Sequence, residues 1–577
     1  MIKVLFAASE AAPFVKTGGL ADVMYALPRY VQSKNIEAAL VIPKYGVIAD
    51  KFKDKMERVY EGTVDLSWRN KYMGVEKLEW KGITVYFIDN EEYFRRDGIY
   101  GYGDDAERFA YFSKAVLAML PHIDFKPDVI HCNDWHTGML SVYLKEGFYQ
   151  DDFYKDIKTV YTVHNLRYQG VFDRSIVGNV LGLPEYLYDN GNLEQGGGLN
   201  FMKAGMVYAD YITTVSPSYA KEITEPYFGE GLDGYIRSIG NKITGILNGL
   251  DEKIFNPATD EYLHTKYDAE NVFAGKAANK EALQARLGLP VDRNIPMLAM
   301  VSRLVADKGL DLLTRIMDEL LLEGIQLVVL GTGDYQYEEA LRGLAARNPT
   351  RVSINTLFSE ELARNIYGAA DIFLMPSRFE ACGLSQMIAL RYGAVPVVRE
   401  TGGLKDTIVP FNKYTGVGNG LTFTNFNAHE FLYSIKDALG LYSYAPVWSK
   451  LVHNAVTSDF GWEKAAGQYT KIYEKVVAKE NVETVSSIKA KAKEVEEAEP
   501  VAEKAAEQAE PVAEKNAEPV KPAMHKVAEA VEELKAAVKA AAKKTTAKKS
   551  SAKKTTKRKT TRKVSAKTKA KKTTSKK

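Results

Sequence analysis

Two series of short apolar runs divide the first 400 residues. Ile2–Ala7, Ala39–Ile42, Ile83–Ile88, Val129–His131, Thr159–Val163 and Tyr211–Val215 are predominantly apolar with few polar interruptions, the pattern of strands covered on both faces. Helix-length amphipathic segments such as Ala106–Leu120 lie between them. Strand and helix in repetition predict a mostly parallel, doubly wound α/β sheet. A second series opens after Pro296, with Met297–Val301, Leu327–Leu330, Val352–Thr356, Ile372–Met375 and Val395–Val398 as strands and Leu310–Leu322 as one of the intervening helices. Two Rossmann-like domains follow, one over residues 1–250 and one over 251–460, with the polar stretch around Asn256-Pro257 as the crossing between them.

Helical patterns return at His429–Leu441 and Trp462–Ala478, and 461–484 is expected to be a C-terminal helix. The pattern then stops. From about Val485 the chain is Ala, Glu, Lys and Pro, with EPVAEK occurring at both Glu499–Lys504 and Glu510–Lys515. Pro-punctuated charged sequence buries too little apolar surface to offset its ordering entropy, so 485–534 is expected to be a disordered spacer and 535–577 a Lys-rich basic tail.

Charge sharpens that division. The 577-residue chain carries a net +3. Residues 535–577 contain 19 Lys or Arg and no acidic residue, which leaves −16 on residues 1–534. Composition is otherwise ordinary, at 46% hydrophobic and 26% charged. Two cysteines, Cys132 and Cys382, are too few for a disulfide framework or a Cys-rich zinc site and fit a reducing cytosol. MIKVLFAASE reads as a first strand rather than a leader, and no run approaches the roughly 18 apolar residues of a membrane span. A cytoplasmic, membrane-free protein is expected.

In open parallel sheets ligands sit at the C-terminal strand ends, where helix N-termini present free N–H groups. Behind the first strand comes Lys16-Thr17-Gly18-Gly19, a glycine pair that lets backbone approach a ligand, with a cation beside it. A plain strand-to-helix turn would also account for it. In the second series Arg303 and Lys308 follow the first strand, cations suited to a diphosphate. Pro376–Leu384 places Glu380 and Cys382 behind another strand, and Thr401, Gly402 and Gly403 behind a third. A carboxylate there can accept sugar hydroxyls, although Glu380 could also be a residue favoured by a helix dipole. Domain one closes strands with His131–His136 and Thr162–Gly170, which bring in Asp134 and His164. His131, Cys132, Asp134 and His136 crowd one strand and its turn, too close together to converge on a tetrahedral zinc. Gly331-Thr332-Gly333 lacks the third glycine of a dinucleotide fingerprint, and no P-loop occurs.

KTGGLADV, HCNDWHTG, TVHNLRYQG, NGLD at Asn248–Asp251, SRLVADKG, PSRFEACGL and TGGLKDT stand in the order found in the bacterial glycogen synthases and plant starch synthases. The resemblance covers residues 1 to about 480. It implies the GT-B fold, two Rossmann-like domains across a cleft with the last helix crossing back to the first. It also implies retaining transfer of glucose from ADP-glucose to the non-reducing end of an α-1,4-glucan, with no metal and no cofactor. Carried over position by position, it places Lys16, Gly18 and Gly19 against the donor, Arg303 and Lys308 on the departing diphosphate, and His164 beneath the glucose. Asp134 and Asn248 would hold sugar hydroxyls, Glu380 would orient the donor glucose, and Cys382, Thr401, Gly402 and Gly403 would line the phosphates or sugar. Phe358 falls where relatives often stack a Tyr on adenine. Ala381 departs from the usual Pro after the glutamate, and Ile388 stands where related retaining transferases carry a second Glu, as is normal for this group.

The residues themselves spell no code for the base, so adenine and uracil donors both stay open. A non-catalytic glucan-binding relative is the alternative, and the intact set of Lys16, His164, Arg303, Lys308 and Glu380 speaks against it. The basic tail resembles histone H1-type tails in composition and could associate with polyanions or nucleic acid by counterion release, or fold back on the acidic body. It has no interleaved aromatic for base stacking.

Overall fold

The computed structural model describes residues 1–478. The expected spacer at 485–534, the basic tail at 535–577 and the end of the 461–484 segment lie outside the described residues. Twelve strands precede residue 246: β1 (Ile2–Ala7), β2 (Ile36–Pro43), β3 (Glu57–Leu66), β4 (Arg69–Trp80), β5 (Ile83–Asp89), β6 (Val129–Asn133), β7 (Lys158–Val163), β8 (Val171–Phe172), β9 (Glu194–Gln195), β10 (Gly198–Asn200), β11 (Tyr211–Thr214) and β12 (Ile243–Gly245). Nine of them form one sheet in the order β12-β11-β7-β6-β1-β2-β5-β4-β3, and β8–β10 form a small separate sheet. Every neighbour from β12 to β5 is parallel, while β5-β4-β3 is antiparallel. The expectation of a mostly parallel sheet holds, with antiparallel pairing confined to one edge. There the hairpin of β3 and β4 alternates charged and apolar residues because much of it faces water.

The second sheet contains β13 (Met297–Val301), β14 (Gln326–Leu330), β15 (Val352–Asn355), β16 (Ile372–Met375), β17 (Val395–Arg399) and β18 (Leu421–Phe423). Its order is β15-β14-β13-β16-β17-β18, parallel throughout. Each sheet has its own buried core.

The helix Trp462–Val477 returns to the first core. Trp462, Tyr469, Tyr473 and Val476 are buried there, and the Tyr473 hydroxyl bonds His131 Nδ1 at 2.8 Å. The two chain crossings between the halves run side by side, with the Leu250 N–H donating to Phe460 O at 2.7 Å. Gly249 permits this approach, since a Cβ there would lie 2.6 Å from the Trp462 backbone. Two doubly wound sheets joined and crossed back in this way make the GT-B arrangement.

Candidate active site

In both sheets the strand order reverses beside the first strand of the half, at β1/β6 and at β13/β16, and these are the crevices where α/β sheets bind ligands. The candidate residues collect at these two places.

At the first, β1 runs into Glu10, a buried carboxylate outside the expected set. It accepts the Thr17 N–H at 2.5 Å, the Thr17 hydroxyl at 2.9 Å and the Gly18 N–H at 3.3 Å. Burial raises its pKa, and the bonds from Thr17 and Gly18 oppose that shift. Glu10 thus shapes the Lys16–Gly19 loop from behind. Lys16 is tied to Asp22 at 2.7 Å, and Gly19 opens the 13-residue helix Gly19–Val31. A Cβ on Gly19 would stand 3.8 Å from Leu384 Cδ1 of the other half, so the loop lies at the cleft.

Behind β6, Asp134 adopts φ 57°, a backbone conformation that non-glycine residues seldom hold. Its Oδ1 accepts the His164 N–H at 2.8 Å. Burial pushes its carboxyl up to about 7, while hydrogen bonds from the His164 and Asn165 backbones pull the other way. His164, the residue after β7, places Nε2 2.9 Å from Asn133 Oδ1. The Asn133 amide nitrogen already donates to Ala7 O and His131 O. Its oxygen must therefore accept, which puts the imidazole proton on Nε2 and the lone pair on Nδ1. Burial pulls this imidazole down to about 3, so it is neutral at physiological pH. His131 and His136 are occupied elsewhere: His131 bridges Tyr473 and Thr162, and His136 stacks on Tyr100 at 4.4 Å.

At the second crevice, Lys308 Nζ meets Glu380 Oε2 at 2.6 Å, and the Ser377 hydroxyl donates to the same oxygen at 3.1 Å. Gly309 makes the pairing possible. Its φ is +73°, and a Cβ would lie 2.0 Å from Pro376 O, so the loop after β13 presses directly on the loop after β16. Cys382 is buried, which pushes its thiol up to about 12, and it receives a bond from the Asn248 backbone. The Asn248 side-chain oxygen is buried without a partner among the described residues. Thr401, Gly402 and Gly403 pack against the same loop, with Gly403 N–H donating to Glu380 O at 3.1 Å. On their far side Glu222 of the first half takes the Gly402 N–H at 2.8 Å and the Thr401 hydroxyl at 3.2 Å. Phe358 stands apart, 84% exposed, an open platform.

The two walls meet. Arg303 Nη1 lies 3.4 Å from the Tyr168 hydroxyl, and Arg167 forms an ion pair with Asp307, the neighbour of Lys308. Glu10 and Glu222 were not singled out from sequence because acceptors bonded to backbone carry no local motif, and the role of Asn133 shows only once folding brings His164 to its oxygen. Arg167, Tyr168 and Asp307 lie inside conspicuous segments, but only the folded cleft shows that they pair. The arrangement offers the cations Lys16, Arg303 and Lys308, the Lys308-paired carboxylate of Glu380, a neutral imidazole and an unpartnered amide oxygen around one cleft, a set suited to an anionic, hydroxyl-rich ligand.

Comparison with known proteins agrees. The starch synthase catalytic domain family matches residues 3–238, and glycosyl transferases group 1 matches 279–450. A glycogen synthase of Desulforamulus reducens is 52% identical over 476 residues, 82% of this chain and 99% of that protein. One of Alkaliphilus metalliredigens is 50% identical, with 82% and 99% covered. The catalytic domain of starch synthase IV from Arabidopsis thaliana, solved with ADP and acarbose, is 31% identical with a TM-score of 0.77, covering 83% of this chain and 99% of that one.

Proposed function

Because this chain belongs to the glycogen synthase family and is a glycosyltransferase that builds glycogen by glucosyl transfer, we propose that its donor is ADP-glucose, its acceptor the non-reducing end of an α-1,4-glucan, and its site the cleft between the two crevices. The Lys308–Glu380 pair, 2.6 Å apart at the switch point of the second sheet, carries this reading. The solved relative bound to ADP and acarbose supports a nucleoside diphosphate and a saccharide as ligands.

Arg303 and Lys308 take the diphosphate, and Lys16 with the Gly18–Gly19 backbone closes over it from the first wall. As the bond between glucose C1 and the phosphate oxygen breaks, its electron pair moves onto the diphosphate, where the fixed cations stabilise the developing charge. Glu380 and the unpartnered Asn248 oxygen accept sugar hydroxyls. Asp134 acts through His164, whose lone pair on Nδ1 accepts a further hydroxyl. The acceptor hydroxyl attacks C1 on the leaving-group face, retaining configuration, and its proton passes to the leaving phosphate oxygen. Phe358 supplies the stacking surface for adenine. Residues 1–250 and 251–460 act as the two jaws, and the protein works in the cytoplasm. The tail from Lys535 is assigned a separate role in polyanion association, on the strength of its 19 cations and lack of acids.

Supplying ADP-glucose or UDP-glucose with glycogen primer and measuring nucleotide release tests the donor. Primer-dependent ADP release that exceeds UDP release is expected, and the reverse order would overturn the assignment. Full-length protein should be retained on DNA with steep salt dependence that is lost on deleting residues 485–577. Unchanged retention would exclude the tail.

A further inference from the structure

One short element of the first half holds both flanks of Glu380. The helix Pro217–Glu222 follows β11, and the Ser216 hydroxyl just before it donates to Ala381 O at 2.7 Å. Ser218 gives Asp406 its N–H at 2.8 Å and its hydroxyl at 2.7 Å. Glu222, at the end of this helix, takes the Gly402 N–H at 2.8 Å and the Thr401 hydroxyl at 3.2 Å. Every one of these partners on the far side belongs to the loop carrying Glu380, to the helix Gly402–Thr407 that leans on it, or to that helix's N-cap, Thr401.

The contact between that helix and the Glu380 loop has no slack. A Cβ on Gly402 would lie 1.9 Å from Glu380 O, and one on Gly403 2.1 Å from Cys382 O. Gly403 N–H also donates to Glu380 O. Backbone lies on backbone, so a shift of residues 401–403 must move Glu380 with it. Burial raises the pKa of Glu222, opposed by its bonds to Gly402 and Thr401 and by Arg399 and Lys405 nearby. Each of its carboxylate oxygens accepts one of those bonds.

We infer that Glu222 is a positioning residue for the transfer reaction, a strut from the first half that fixes the Thr401–Gly403 backbone and through it the carboxylate of Glu380. This rests on the reading of Glu380 as the group that orients the donor glucose. The strut explains how the first half contributes to a donor site whose charged groups lie mostly on the second.

The test uses the full chain, with ADP-glucose and glycogen and with nucleotide release as the readout. Glu222→Ala is expected to lower kcat by about 10-fold or more, the order of loss that small misplacements of a reacting group produce, while donor KM changes much less. Glu222→Gln keeps an acceptor for Gly402 and should restore most of kcat. In a Glu380→Gln background Glu222→Ala should add little further loss, because both act through one carboxylate. Should Glu222→Ala fold poorly, Glu222→Asp, one methylene too short to reach, serves with the same expectations. Full kcat in Glu222→Ala, no rescue by Gln, or an undiminished loss in the Glu380→Gln background would each overturn the inference. An unaffected Glu380→Gln single variant would instead overturn the site assignment on which it rests.

Discussion

At the residue scale, the chemistry depends on side chains whose state is set by their neighbours. Asn133 can offer His164 only an oxygen, so the imidazole is a fixed tautomer, kept neutral by burial at about 3. His131 is held at about 3 as well, largely by burial, between Tyr473 and Thr162. An unfolded chain protonates both near their ordinary value, so between about pH 6.5 and 3 it binds more protons than the folded one. Their stabilising contribution is whole above about pH 6.5 and is lost as the pH falls towards 3. Asp134 has the opposite sign: with its carboxyl raised to about 7, its ionisation subtracts stability as the pH rises from about 4 to 7. Replacing His131 isolates one contribution. Urea unfolding of His131→Gln should lose less stability between pH 7.5 and 5 than the parent loses, and equal slopes would contradict this. His164 and Asp134 stood out in the sequence because polar residues at the ends of apolar strands are conspicuous. Glu10 and Glu222 did not, since their partners are backbone N–H groups that folding alone brings to them.

At the element scale, the strands were legible wherever both faces are covered. β1, β13 and β16 match the predicted runs residue for residue, because a strand between two parallel neighbours is covered on both faces and, Lys3 apart, these carry only apolar residues. β3 and β4 went unread: an edge hairpin with a solvated face, turning at Ser67 with φ 56°, alternates charge with apolar residues and looks like loop. The glycines of the site were legible as glycines but not in their purpose. They bring loop against loop, Gly309 on Pro376 and Gly402 on Glu380. Gly309→Ala, forced to φ +73° with its Cβ 2.0 Å from Pro376 O, should therefore separate Lys308 from Glu380. A kcat loss of about 100-fold is expected in a protein with native-like circular dichroism. Wild-type kcat would show that the loop contact is dispensable. Beneath the same half, buried Lys276 donates to three carbonyls, those of Tyr367, Gly368 and Tyr392, which ties the helix Val272–Leu287 to the second core. Lys276→Met strips three acceptors of their donor and should lower unfolding free energy by about 2 kcal/mol or more in urea. A change within error would place the helix's anchorage elsewhere.

At the scale of the whole molecule, neither half carries a complete set. Glu10, Lys16, Asp134 and His164 line one wall, Arg303, Lys308 and Glu380 the other, and the halves touch through Arg167–Asp307, Arg303–Tyr168 and the Glu222 contact. Arg167 is largely solvated, so its pair contributes at most a modest bias towards the closed cleft, screened by salt. Arg167→Ala should raise the radius of gyration measured by X-ray scattering at low ionic strength, with the difference from the parent shrinking at high salt. A salt-independent difference would contradict an electrostatic latch. The division into two halves was visible in the sequence as two series of strands, but their mutual approach was not, because no local pattern records which loop will face which. The most direct test of a site shared between the halves is primer-dependent ADP release from ADP-glucose by His164→Ala and Lys308→Ala, one residue from each wall. The account predicts that each loses about 100-fold or more in kcat/KM, the loss of a preorganised polar group at the reacting centre. Turnover at the parent rate in either variant would contradict it.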